Sequence, residues 1–118
     1  GTVINGQLIT GKTNCAGEIQ YLPLSNEDQL KLLQTPHGTI ELLSKIVVCL
    51  TAIVNPEIVA ISCTNLEKAS DLDETLESMV PAKYLPKIKK VTNLNDYILV
   101  GLQFICKEVL KNNFINKK

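Results

Sequence analysis

Glu57-Ile58-Val59-Ala60-Ile61-Ser62 is an apolar, mostly β-branched run with no polar alternation between its ends. A strand with one wet face alternates in polarity; one that does not suits the centre of a parallel sheet, covered on both faces. Upstream, Asn55-Pro56 ends whatever helix precedes the run, because the residue before a proline is pushed out of the α region. Downstream, Thr64-Asn65-Leu66-Glu67 has the pattern of a capping box and predicts a helix to about Met79, with Leu66, Leu72 and Leu76 turned inward. Helix, buried strand, helix is the signature of a layered α/β fold.

The helix ended by Asn55 starts at Pro36, whose fixed φ suits a first turn, and Ile40, Leu43, Val47, Leu50 and Val54 follow at helical spacing. Its apolar stripe is broad, so the helix should be largely buried. Before it, Ser25 with Asp28 three residues on predicts a short helix over about 26–34, carrying Leu30 and Leu33 on one side. At the start of the chain, Thr2 to Asn5 and Gln7 to Thr10 flank Asn5-Gly6, which supplies the positive φ pair of a type I′ hairpin turn. Gly11 to Gly17 is a polar loop, and Glu18 to Leu24 reads as a further extended segment closed by Pro23. After the central helix, Pro81 and Pro86 bracket a connection, and Lys87 to Thr92 alternates charge with Ile88 and Val91, as an edge strand does. Asn93-Leu94-Asn95-Asp96 then caps a last helix whose buried face is Leu94, Tyr97, Ile98, Gly101, Leu102, Ile105 and Val109, with a polar tail that frays from Asn112.

Composition agrees with a single domain over 1–118. The chain has 118 residues, 45% apolar and 20% charged, with 12 acidic and 12 basic side chains, so no net field steers it toward nucleic acid or anionic lipid. No uninterrupted apolar run approaches the about 20 residues of a membrane span, which sets the expectation of no membrane partner. Cys15, Cys49, Cys63 and Cys106 are far apart and form no C-x-x-C pair; they read as buried free thiols of a cytoplasmic protein. Asp71, Asp73, Glu74 and Glu77 lack the spacing and glycine of a calcium loop and read as a solvated helix face. The single histidine, His37, sits at a helix start and reads as a surface or capping residue, leaving no set for nucleophilic catalysis.

Four segments together resemble the ROK family (repressors, open reading frames and sugar kinases). Val3-Ile4-Asn5-Gly6-Gln7-Leu8 is similar to the hairpin after that family's phosphate-binding loop, and Asn14 to Ile19 to its Ala-Gly-Glu-Ile segment. Val54 to Ile61 is similar to its Asn-Pro-Glu strand entry, and Gly101 falls where its terminal helix carries a Gly-Ala pair. The resemblance implies a lobe of the ribonuclease H-like (actin-like ATPase) fold, a mixed sheet beginning with the hairpin and covered by helices. It also implies that Gly1 opens in the middle of a longer protein whose N-terminal part carries the catalytic base and phosphate loop.

In that family the glutamate of Gly-Glu-Ile-Gly-His accepts hydrogen bonds from sugar hydroxyls, which the resemblance carries to Glu18. A carboxylate suits this because it accepts from two neighbouring hydroxyls with charge-assisted strength. The family's second glycine is Gln20 here and its histidine is Tyr21, which inherits the sugar-facing position. That histidine also holds a structural zinc with a cysteine cluster; between Tyr21 and Pro36 there is no Cys or His, so the zinc site reads as lost. The kinases follow the strand with paired glycines that admit the nucleotide. Here the positions are Ser62-Cys63-Thr64, so Ser62, Cys63 and Gly101 read as a vestigial nucleotide site without ATP. The implied protein is the sugar-sensing and dimerisation lobe of a transcriptional regulator. Its partners are a sugar or sugar phosphate and a second copy, with DNA contacted only by a helix-turn-helix outside this chain. The alternative is the C-terminal lobe of a divergent ATP-dependent sugar kinase.

Overall fold

The run at 57–62 forms a parallel strand, as its composition predicts, but with one wet face. A computed structural model describes residues 1–116 of the chain. In chain order the elements are β1 (Thr2–Ile4), β2 (Gln7–Ile9), α1 (Asn26–Leu32), α2 (Pro36–Ile53), β3 (Ile58–Ile61), α3 (Asp73–Met79), β4 (Lys87–Lys90) and α4 (Leu94–Asn116). Short 3-10 turns lie at Ile19–Tyr21, Ala69–Leu72 and Ala82–Tyr84. β3 pairs with β4 in parallel, Ile58 opposite Lys87 through Ile61 opposite Lys90. Val59, Ile61 and Ile88 turn to the core, whereas Ile58, 46% exposed, and Ala60 lie on the open face. The expected cover on both faces is therefore corrected to one: hydropathy reports side-chain chemistry, and here apolar side chains face both ways.

A single mixed sheet led by the hairpin is also corrected. β1 and β2 pair antiparallel, Thr2 opposite Ile9, with Asn5 at φ 50° and Gly6 at φ 75°, as a type I′ turn requires. They form their own two-stranded sheet beside the β3–β4 pair. The molecule is an α/β protein with two small sheets. The segment 18–24 is not extended either. With no strand beside it, its backbone bonds locally, Tyr21 N–H to the Glu18 carbonyl at 3.1 Å and Leu22 N–H to Ile19 at 3.1 Å.

Caps explain several helix ends. Ser25 Oγ accepts from Asp28 N–H at 3.1 Å, and Thr35 Oγ1 accepts from Gly38 N–H at 3.0 Å ahead of Pro36. Asn55 closes α2 in the left-handed region at φ 49°, its N–H returning to the Leu50 carbonyl at 3.0 Å. The cap expected at Thr64 falls four residues later, where Asp71 Oδ2 accepts from Lys68 N–H at 2.9 Å. The helix accordingly starts with the turn at Ala69. Helix α4 runs through Asn112 to Asn116 without fraying there; Lys117 and Lys118 lie outside the described residues.

The core gathers between α2, the 69–79 helical segment and the inner face of β3 and β4. Val47, Ile61, Leu66, Leu72 and Leu76 are buried, with Leu66 and Leu72 fully so. Each buried leucine contributes about 1.5–3 kcal/mol relative to leaving it in water. Helix α2 is long and apolar enough, by length and composition, to cross a membrane, and in this fold it supplies Leu42 and Val47 to the interior. The expected burial of the α4 face does not occur: every residue from Thr92 to Ile115 is exposed. The thiols divide, Cys49 and Cys63 half-buried but Cys15 and Cys106 exposed, which corrects the expectation of four buried cysteines. Cys15 lies in the polar loop and Cys106 on α4, where no second layer covers it.

The result is elongated, 57 × 26 × 26 Å, with a radius of gyration of 17.1 Å. A compact chain of this length has about 13.5 Å.

Candidate functional site

The loop carrying Glu18 is shaped by its backbone. Asn14 at φ 58° and Gly17 at φ 87° turn the chain, with Ala16 N–H on the Thr10 carbonyl at 3.1 Å and Glu18 N–H on the Cys15 carbonyl at 3.2 Å. Gly17 packs on Gly1, where a β-carbon would sit 3.4 Å from the Gly1 Cα, and its positive φ would strain any side chain. The loop thereby places Glu18 immediately before the 19–21 turn. Gln20 Nε2 donates to Glu18 Oε2 at 3.3 Å, and among the described residues the other carboxylate oxygen has no side-chain partner. Gln29 Nε2 ties the far end of the segment to α1 through the Leu24 carbonyl at 2.8 Å. Tyr21, 73% exposed, stands on the surface of the turn.

Beside this loop lies a cleft of about 880 Å³ between the hairpin, one side of α2 and β3. Its size falls within the about 300–1,000 Å³ of small-molecule sites. Gly17 and Ile19, the two neighbours of Glu18, line it, and Ser62 lines it beyond the end of β3. The structure thus brings Gly17, Ile19 and Ser62 to one cleft, while Glu18 and Tyr21 do not themselves line it. Cys63, half-buried, packs against the core cluster. Gly101 is not part of this grouping: it lies on α4, where a β-carbon would meet nothing within 4 Å. Asn5, Asn55 and Glu57 add polar groups to the cleft wall. Sequence reading assigned these three to a turn, a helix stop and a strand start, and no spacing signals their shared location.

Among the described residues no group of three or more His, Cys, Asp and Glu side chains could hold a metal ion. His37 is exposed in the first turn of α2. Lys87 and Lys89 project from the open face of the β3–β4 pair, and Lys90 Nζ donates to the Glu67 carbonyl at 3.0 Å. Asp73, Glu74 and Glu77 are exposed on α3. Glu41 is the titrating group whose surroundings clearly move it: a hydrogen bond from Lys45, 2.7 Å away, and the charge of that ammonium hold its carboxyl below the ordinary 4.5. No protein-family model matches the chain, and neither a curated protein nor a solved structure matches it.

Proposed function

We propose that the chain is the sugar-sensing and dimerisation lobe of a ROK-type transcriptional regulator, a part of the ribonuclease H-like fold that does not itself contact DNA. The observation that carries this reading is the placement of Glu18. Gly17 and Ile19, on either side of it, line the cleft that Ser62 also lines. The exposed Glu18 does not itself line it, so its carboxylate would turn inward from the loop to accept from two neighbouring sugar hydroxyls. Tyr21 offers a ring and a hydroxyl from the same turn. Ser62 and Cys63 place side chains where a kinase needs bare backbone, which favours binding over phosphoryl transfer. Sugar in the cleft would bias the lobe between two arrangements, and a DNA-reading segment elsewhere in the protein would register the shift.

The test is calorimetric titration of the chain with hexoses, N-acetylhexosamines and their phosphates, repeated on Glu18→Ala. Loss of charge-assisted hydrogen bonds should weaken the sugar that binds by about tenfold to a hundredfold with the circular dichroism unchanged. Unaltered affinity in Glu18→Ala, or no binding by any of the sugars, refutes the assignment.

A further inference from the structure

Along its middle, from Ile98 to Cys106, helix α4 is apolar apart from Gln103. This stretch carries no charge, and Leu99, Val100, Leu102, Phe104 and Ile105 are spread around the helix at about 100° per residue. A helix of that composition belongs in an interior. Here it is exposed throughout, Phe104 at 65%. The accessible surface of the chain is 9243 Å². A folded monomer of 13.0 kDa presents about 6,300 Å². The surplus of about 2,900 Å² per chain, about 5,800 Å² over two copies, reaches the upper end of what obligate homodimers bury in total, about 2,000–5,000 Å² and more.

A complementary surface exists on the same molecule. The cleft wall from α2 and β3 presents Leu43, Ile46, Leu50, Val54 and Ile58, and among the described residues β3 pairs along one edge alone. Helix α4 from Leu94 to Leu110 is about 25 Å long, against about 27 Å for α2.

We propose that the chain forms a twofold homodimer by reciprocal exchange of α4, each α4 roofing the α2–β3 cleft of the other copy. The exchange covers the apolar helix, protects the open edge of β3 as helices do for unpaired edges, and leaves the space beside Gly17 and Ile19 beneath the roof. A sugar bound there is then enclosed by both copies, and binding is linked to dimerisation. The inference rests on the dimerisation part of the proposed function and not on the role of Glu18.

The experiment is sedimentation velocity on the full chain at micromolar concentration, with hydrogen exchange on the same samples, for the wild type and for a variant carrying Leu102→Asp and Ile105→Asp. Because these side chains are exposed on α4, the variant keeps its fold, checked by circular dichroism. The proposal predicts a species of twice 13.0 kDa for the wild type and 13.0 kDa for the variant. It also predicts that the variant loses protection both in 98–106 and in 46–62. A monomeric wild type overturns the proposal, with α4 then a surface for some other partner. A dimer that survives the substitutions overturns it by placing the interface elsewhere. Loss of protection in α4 alone overturns it in favour of two α4 helices lying side by side. Failure of the sugar reading shows separately, as the unaltered affinity of Glu18→Ala.

Discussion

Replacing Gly38 by alanine should destabilise the protein, against the ordinary effect of that change in a helix. Gly38 is the third residue of α2, and alanine is favoured over glycine in a helix interior by about 1 kcal/mol. At this corner a β-carbon would fall onto the Leu32 carbonyl oxygen, with Thr35 Oγ1 at 2.9 Å and the Leu32 carbonyl carbon at 3.0 Å. Two of the three obstacles are backbone, so relief requires α1 to move away from α2. That movement strains the bonds holding α1 in place, Gln29 Nε2 to the Leu24 carbonyl at 2.8 Å and Asn65 Nδ2 to the Leu33 carbonyl at 2.5 Å. Overpacking of this kind costs about 1–3 kcal/mol. After the propensity gain, which is smaller in a first turn, the net loss is about 1–2 kcal/mol, or about 4–8 °C in Tm at this chain length. Urea unfolding followed by circular dichroism measures it, at fixed protein concentration because dimerisation would contribute. A Gly38→Ala protein as stable as the wild type, or more so, refutes the packing described at the α1–α2 corner.

Ser44→Ala should act in the opposite direction. The Ser44 hydroxyl is fully buried without a hydrogen-bond partner among the described residues, and removing it while supplying a better helix former should stabilise the fold by about 1–2 kcal/mol in the same urea assay; lower stability would show that the hydroxyl is paired. Lys45→Ala should return the Glu41 titration upward toward 4.5, read by NMR of its side-chain carboxyl. Because the folded value lies below the unfolded one, any stability from this pair is present above the unfolded pKa and fades as pH falls through the folded one. A Glu41 titration indifferent to Lys45 contradicts the ion pair.

What the sequence shows and what it hides follow from the range of the interactions. The hairpin was legible because Asn5-Gly6 acts on its own backbone, and the α2 boundaries because Pro36 and Asn55-Pro56 do the same. The inward positions of Leu72 and Leu76 were legible because a spacing of four sets one helix face, whereas Leu66 is buried ahead of the helical segment. The parallel pairing of β3 was legible in its run of apolar residues, but the number of strands beside it was not, since that depends on residues remote in the chain. For α4 the pattern announced burial, and the single chain does not supply it. The conflict is informative in itself, because the composition of a helix is matched to its assembled surroundings. The meeting of Gly17 and Ile19 with Ser62 at one cleft was not readable, as no local spacing joins residues so far apart along the chain.

The most direct test of the functional account is an NMR titration of the isotope-labelled chain with the same sugars. The account predicts amide shifts concentrated at Gly17, Glu18, Ile19 and Ser62, saturating with sugar and abolished in Glu18→Ala. Shifts confined to other surfaces, or a spectrum unmoved at saturating hexose, N-acetylhexosamine and sugar phosphate, would contradict it.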